Sequence, residues 1–500
     1  MHTPDAQTRR LLDLVTHFSG LRVLVIGDAI LDSYLQGATS RLCREAPVPI
    51  VDVAEAEHVP GGAANTAANI ATLGGESHFL TVIGNDTPGF ELCVELGRAG
   101  VNLDGVIRSE KRQTLVKQRL LAADQLLVRF DRGSTEKISS TDEDRLIEQL
   151  NCHVPNCDAV VISDYAYGIL TPRVVFVLQR LQALHPRILV ADSKRLQTYA
   201  RLGVTAVKPN YDEAIALLDL PRLSGAKRVE QMARYGKDVL AATGAWMAAI
   251  TLDQDGALIF LEDKGGTISE PTRTLAKPAP SSHATGAGDT YVATLALALA
   301  AGADPHGAAF LAATATAVIV TEPGTTRCHP LALRRALMEG NKRVMDQTEL
   351  TSIVAQHRGL GQRIVFTNGC FDILHSGHVT CLERAKALGD VLIVGVNTDE
   401  SIRQLKGPSR PVNSLADRLT VLAALGCVDY VVPFADLAPR ELIRLIRPDV
   451  YAKGGDYTRH SLPETPLIEE LGGEVVILPY IGDRSTTNLI QQIRTTPGDS

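Results

Sequence analysis

Two separate series of short, continuous apolar runs, each leading into a polar or glycine-containing turn and then a helix-like stretch, limit this chain to a narrow set of folds. Runs such as Arg22–Gly27 (RVLVIG), Ala159–Ser163, Ile188–Ala191, Ala206–Lys208 and Met247–Leu252 do not alternate with polar residues. Strands of that kind are buried on both faces, which predicts a parallel sheet with helices on either side. Mixed-polarity stretches at Pro47–Ala54 and Thr114–Phe130 predict a small antiparallel lid. A second series begins at Arg363, with strands expected at Ile364–Thr367, Val391–Asn397, Tyr430–Val432, Val450–Ala452 and Val475–Leu478. Five hundred residues exceed one core. The expected division is a first domain over 1–330, a helical, charged linker over 331–358, and a second α/β domain over 359–500. Neither half repeats itself with a period of 20–50 residues, so a solenoid is not expected.

Net charge is −7, which gives no basic footprint for nucleic acid and favours small-molecule substrates. Eight scattered cysteines, without C-x-x-C or zinc spacing, suit free thiols in a reducing compartment. No signal-peptide pattern is read at the N-terminus, and the apolar run Val292–Gly302 is too short to span a bilayer. The expected location is the cytoplasm, without membrane or nucleic-acid partners.

Ser281–Thr290 reads SSHATGAGDT and runs into a small-residue helix. A Gly-x-Gly turn at a helix start presents unpaired N–H groups and the positive end of the dipole, an anion site for phosphate. Asp289, in the first turn, is placed to take the proton of a hydroxyl attacking a γ-phosphate. In isolation Asp289 is as simply read as a partner of the helix dipole. Upstream, Gly61–Gly75 (GGAANTAANIATLGG) puts Asn65 and Asn69 on one helix face, a pattern for recognising hydroxyls or, more plainly, a packed Gly/Ala-rich helix.

Taken together, the GG-x-x-N and GAGD segments resemble the ribokinase-like carbohydrate kinases over about residues 20–330. That resemblance implies a doubly wound sheet with a β lid, Asp289 as catalytic base, and Gly286, Ala287 and Gly288 as the anion hole. It implies sugar contacts by Asp32, Gly61, Gly62 and Asn65. In KPNYDE, Asn210, Tyr211, Asp212 and Glu213 would face ATP, with Glu213 reaching magnesium through water, and Gly256 in TLDQDG would lie beside the nucleotide. The chain departs from the family at His283, where Asp is usual, at Tyr167, where close relatives often have Lys, and at Asp192–Arg195, DSKR in place of DPKG.

In the second series, the strand over Ile364–Thr367 turns at Asn368–Gly369 into a helix carrying His375 and His378, three apart and so on one face. Two histidines at a helix start are placed to donate to phosphate oxygens as charge builds in a transition state. A zinc pair would want a third His or Cys nearby. This segment resembles the H-x-G-H nucleotidyltransferases over about residues 360–492. The resemblance implies a Rossmann-like domain with Thr367, Asn368, Gly369, Phe371 and Arg410 around ATP, and Lys406 and Lys453 at the acceptor phosphate. Ser485, Thr486 and Thr487 would cap a helix at the triphosphate.

The two halves in this order resemble the bifunctional enzymes that phosphorylate a heptose 7-phosphate and adenylylate a heptose 1-phosphate on the way to ADP-heptose and lipopolysaccharide. LCREAPVP at Leu42–Pro49, LKGPSRPV and KGGDY fit that pattern. It implies ATP with magnesium, a separate phosphatase acting between the two steps, and a homodimer through the kinase lid. Two other readings stay open: a different sugar or CTP as donor, and a first half reduced to a binding or dimerisation module.

Overall fold

A computed structural model describes residues 6–122, 125–262, 265–274, 286–320, 326–339, 342–345, 347–359, 361–454 and 461–478. The chain forms two compact units that divide between Leu337 and Met338.

The first unit has thirteen strands among its described residues: β1 (Arg22–Gly27), β2 (Ala29–Leu42), β3 (Pro49–Gly62), β4 (Glu76–Gly84), β5 (Val106–Ser109), β6 (Leu115–Ala122), β7 (Gln125–Arg132), β8 (Ala159–Asp164), β9 (Ile188–Ser193), β10 (Ala206–Val207), β11 (Met247–Thr251), β12 (Ala257–Leu261) and β13 (Thr272–Thr274). Nine form one sheet in the order β13-β12-β11-β10-β9-β8-β1-β4-β5, parallel from β11 to β5. Only β12 and β13 run antiparallel to their neighbours in that sheet. The period of two sends β1 residues to opposite sides: Val23 and Val25 enter one core with the helices Ala63–Thr72, Ala287–Ala300 and Pro305–Ile319. Leu24 and Ile26 enter the other, against Ser140–His153, Pro172–Leu184 and Ala226–Thr243. Continuous apolar runs are the consequence of these two covers.

The remaining strands make a four-stranded lid in the order β3-β2-β6-β7. The mixed-polarity stretch Thr114–Phe130 falls in two strands, β6 and β7, paired antiparallel. The long β2 was not legible as a strand because its outer half is polar and half exposed.

The second unit contains β14 (Ile364–Gly369), β15 (Val391–Asn397), β16 (Tyr430–Phe434), β17 (Val450–Gly454) and β18 (Glu474–Leu478), all parallel, in the order β16-β15-β14-β17-β18. The order reverses between β14 and β17, the crevice where ligands bind in such sheets. Residues 331–358 are divided between the units: Leu333 and Leu337, on the helix Pro330–Glu339, lie in a core of the first. Val344, Leu350 and Val354 lie in a core of the second, with the helix Gln347–Gly359. No helix among the described residues is long and apolar enough to cross a membrane.

At the end of β1, Gly27 is pressed against β8 and the helix start at Ala63. A Cβ there would stand 1.9 Å from the Ser163 carbonyl oxygen and 2.9 Å from Ala63 Cβ. Gly97, exposed near the end of the helix Thr87–Arg98, has open space around it. Gly27→Ala is therefore expected to lower stability by about 2–3 kcal/mol through overpacking. Gly97→Ala is expected to raise it by about 0.5 kcal/mol through helix propensity. Urea unfolding of each variant checks both signs.

Candidate active sites

In the first unit a cavity of about 300 Å³ opens beyond the carboxyl ends of β8, β9 and β10. Gly286 and Gly288 line one wall, with Asp289, Lys208, Asn210 and Glu213. Gly286 is the N-cap of the helix Ala287–Ala300 at φ 83°, a left-handed conformation that suits glycine, and no side chain caps this start. Its first amides therefore have no side-chain acceptor and stand at the cavity.

Asp289 is nearly inaccessible, and burial pushes its carboxyl above the ordinary carboxylate range. Three donors oppose that shift. Asn65 Nδ2 donates to Oδ2 at 2.8 Å, Thr66 Oγ1 to Oδ1 at 3.3 Å, and the Tyr165 hydroxyl to Oδ1 at 3.2 Å. Lys208 adds a positive field, and it forms a buried ion pair with Asp192 at 3.3 Å. Burial drives Asp192 upward against the pull of that lysine.

Several of the expected site residues make contacts within the protein. Asn65 and Asn69 do share a face, yet both are buried: Asn65 holds Asp289, while Asn69 donates to Asn65 Oδ1 and accepts from Thr290 Oγ1. These contacts strap the helix Ala63–Thr72 to the helix Ala287–Ala300 at Asp289. Asp32 is buried, accepts from Arg119 at 2.6 Å, and requires Gly61, where a Cβ would stand 2.1 Å from its Oδ2. Gly62, at φ 58°, starts the helix that carries Asn65. Asn210 and Glu213 form a reciprocal capping box on the helix Tyr211–Leu217 and both line the cavity. Tyr211 does not face it: its ring is buried and its hydroxyl donates to Gln231. Asp212 is turned to solvent in an exposed pair with Arg222. Gly256, at φ 84°, closes the turn after β11. His283 lies outside the described residues.

In the second unit the carboxyl end of β14 meets the helix Ser376–Lys386, whose N-cap is His375, again with no side-chain cap. The His375 and His378 rings lie 3.9 Å apart between centroids. Phe371, at φ 46°, packs edge-on to His378 and against Gly369, where a Cβ would meet its ring at 3.1 Å. Asn368 Oδ1 accepts from Lys453 Nζ at 2.8 Å and from the Tyr451 hydroxyl at 2.7 Å, linking β14 to β17 across the reversal. Thr367 is buried within β14. Burial lowers the Lys453 ammonium. Arg410, expected at ATP, pairs its guanidinium with buried Asp372 at 2.5 Å. The same carboxylate accepts from the Val412 and Asn413 amides. Lys406 ends the helix Asp399–Lys406, exposed, and its charge reaches His378. Ser485, Thr486 and Thr487 lie outside the described residues.

The profile of the pfkB family carbohydrate kinases matches residues 21–332, and that of the cytidylyltransferase-like proteins matches 366–491. The bifunctional protein HldE of Geobacter sulfurreducens is 36% identical over 497 residues, covering 99% of this chain and 100% of its own. That of Trichlorobacter lovleyi is 37% identical over 479 residues, 95% of this chain and 96% of its own. That of Sulfurimonas denitrificans is 38% identical over 479 residues, 95% and 97%. The chain belongs to the bifunctional HldE family. Its first unit is a carbohydrate kinase and its second a nucleotidyltransferase. The kinase fold is shared with phosphofructokinase-2 from Escherichia coli at a TM-score of 0.52 and 20% identity, over 63% of this chain and 98% of that one.

Sequence reasoning passed over four residues that line the kinase cavity: Tyr165, Asp192, Lys194 and Lys208. Lys208, Asp192 and Lys194 stood inside the quoted motifs KPNYDE and DSKR, and the Lys heading KPN was the available signal. In the HldE nucleotidyltransferase unit, Arg418 was missed. Fully buried, it donates to the carbonyls of Cys370 and Asn397 and to Asp399, tying the ends of β14 and β15. A lone Arg in a helix gives no such signal.

Burial, then the neighbouring His375 and Lys406, pulls His378 down to about 4. In the ligand-free enzyme its ring is neutral at pH 7. An unfolded chain protonates it first as pH falls, so this group's contribution to stability is complete above about 6.5 and is lost towards about 4. An NMR titration of the imidazole is expected to give a midpoint near 4. His375→Ala is expected to raise that midpoint without restoring the ordinary value, because burial, the larger cause, remains.

Proposed function

We propose that the first unit transfers the γ-phosphate of ATP to the anomeric hydroxyl of D-glycero-β-D-manno-heptose 7-phosphate, giving the 1,7-bisphosphate and ADP. The second unit then joins heptose 1-phosphate to AMP from ATP, giving ADP-heptose, a lipopolysaccharide precursor, and pyrophosphate. The observation that carries the kinase half is the Asp289 carboxylate, held by Asn65, Thr66 and Tyr165 beside the uncapped turn at Gly286.

In the kinase, Asp289 takes the hydroxyl proton as the sugar oxygen bonds to the γ-phosphorus, and the bond to the β-phosphate oxygen breaks. The amides at Gly286, Ala287 and Gly288, with Lys208, face the charge on the transferring group. Among the described residues no cluster of three or more His, Cys, Asp or Glu is built to hold a metal alone. The capping pair Asn210 and Glu213 at the cavity suits magnesium that arrives with ATP and is held through water, where it would neutralise phosphate charge. An intact base and anion turn support a working kinase over a mere binding module.

In the transferase, an acceptor phosphate oxygen attacks the α-phosphorus in line and pyrophosphate leaves. No covalent intermediate is needed, so position and positive field do the catalysis. The neutral His378 ring, His375, Lys406 and Lys453 supply donors and charge. Neither of these two reactions removes the 7-phosphate, so a separate phosphatase acting between them is part of this proposal.

The lid suits a homodimer through the kinase unit: β7 is exposed throughout, including Leu126, Leu127, Val128 and Phe130. Eight free cysteines suit the cytoplasm.

The test is mass-spectrometric product analysis with heptose 7-phosphate, ATP, magnesium and an added phosphatase. ADP-heptose is expected. Asp289→Asn should cut ADP release by about 10²–10⁴-fold, and His375→Ala should cut nucleotidyl transfer by about 10²–10³-fold. A cytidylyltransferase-like profile makes CTP the competing donor. Preference for CTP over ATP would defeat the adenylyl assignment.

A further inference from the structure

Three lid strands place charged side chains in register on one face. Asp32 on β2 is opposite Lys117 on β6, which is opposite Asp131 on β7. The next row on that face holds Glu57, Tyr34, Arg119 and Arg129. Within these rows the carboxylates nearest Lys117 are already matched: Asp32 with Arg119 at 2.6 Å, and Asp131 with Arg129 at 2.6 Å. Lys117 remains, half-buried: burial lowers its ammonium, with Arg129 and Lys194 adding to that, and the fields of Asp32 and Asp131 offset it only in part.

Lys194 comes from a different element, the turn after β9, and lines the kinase cavity. Both ammonium groups stand over the same pair of rings. Tyr165 and Tyr167 are stacked with centroids 6.4 Å apart. Lys117 Nζ lies 5.4 and 5.9 Å from those centroids, and Lys194 Nζ lies 6.0 and 5.9 Å. The ring platform is itself fixed from below. Buried Asp28 accepts from the Tyr165 and Tyr167 amides, and Arg112 donates to the Tyr167 carbonyl. Tyr165 also reaches the base, so one residue touches both the reacting end and the cationic end of the site.

Two cations brought together from separate elements repel, and partial burial of one adds to the cost. A multiply charged anion between them removes both costs. The Gly286 turn, which lines the same cavity, is the place proposed above for the nucleotide phosphates. We propose that Lys117 and Lys194, over the Tyr165–Tyr167 platform, form the subsite for the phosphate that the sugar substrate already carries. The subsite selects a phosphorylated sugar and sets its non-reacting end at the lid, leaving the anomeric hydroxyl at Asp289. This rests on reading the unit as a kinase of a sugar phosphate.

The test compares ADP release by the full chain with heptose 7-phosphate and with the unphosphorylated heptose, in wild type, Lys117→Met, Lys194→Met and Lys117→Arg. Each Met variant should raise KM for the phosphorylated sugar at least about tenfold, as loss of a charge-assisted contact does, with kcat and the KM for ATP nearly unchanged. Preference for the phosphorylated sugar should fall accordingly, and Lys117→Arg should retain most of it. Unchanged sugar KM in both Met variants overturns the subsite while leaving the kinase reading intact. An equal loss in Lys117→Arg together with a raised KM for ATP also overturns it, since the effect is then one of packing. A wild type that releases no ADP with the phosphorylated sugar defeats the kinase reading and the subsite with it.

Discussion

Removing a carboxylate from water at the start of a helix is unfavourable unless donors replace the lost solvent, and the kinase unit is arranged around that requirement. Asp289 meets it with Asn65 and Thr66 from a helix more than two hundred residues earlier, and with Tyr165 from the loop after β8. Each donor is itself held. Asn65 is braced by Asn69, which binds Thr290 beside Asp289, and Tyr165 sits on a loop anchored to buried Asp28. Packing of the helices Ala63–Thr72 and Ala287–Ala300 on one side of the sheet keeps these groups in reach. Their small side chains let the two helices come close.

The same logic serves both units. A parallel sheet ends in loops at its carboxyl edge, and a helix that begins there without a side-chain cap leaves amides for a phosphate. In the kinase that helix starts at Gly286, and in the nucleotidyltransferase it starts at His375. The difference lies in what stands next to the amides. A buried carboxylate beside the first suits removal of a proton from a hydroxyl. A neutral histidine and lysines beside the second suit an acceptor that is already an anion and needs no base.

Much of the architecture was legible because buried parallel strands carry uninterrupted apolar runs. Among the described residues of the second unit, all five strands fall where those runs predict, within two residues at each end. The lid was harder to read. Its strands have one wet face, and β2 holds Asp32, Ser33, Gln36 and Thr39 with no clean alternation. Within the site, motifs singled out Asp289 and the Gly286 turn but did not show how their neighbours are held. Asn65 was picked out for being costly inside a helix, and its amide donates to Asp289, a contact that spacing along the chain does not reveal. Arg410 was picked out as a cation in a conspicuous motif, yet Asp372 already binds it. Tyr165, Asp192 and Lys208 acquire meaning only when β8, β9 and β10 lie side by side, which linear spacing does not reveal.

The most direct measurement of the central claim, that Asp289 is a base poised by its donors, is the pH dependence of kcat/KM for the sugar in wild type and Tyr165→Phe. The phenol hydrogen bond favours the ionised carboxylate, and the ring remains in the variant. Removing only that donor is predicted to move the acid limb to higher pH, while titration of the substrates is common to both enzymes. Superimposable acid limbs would contradict the account.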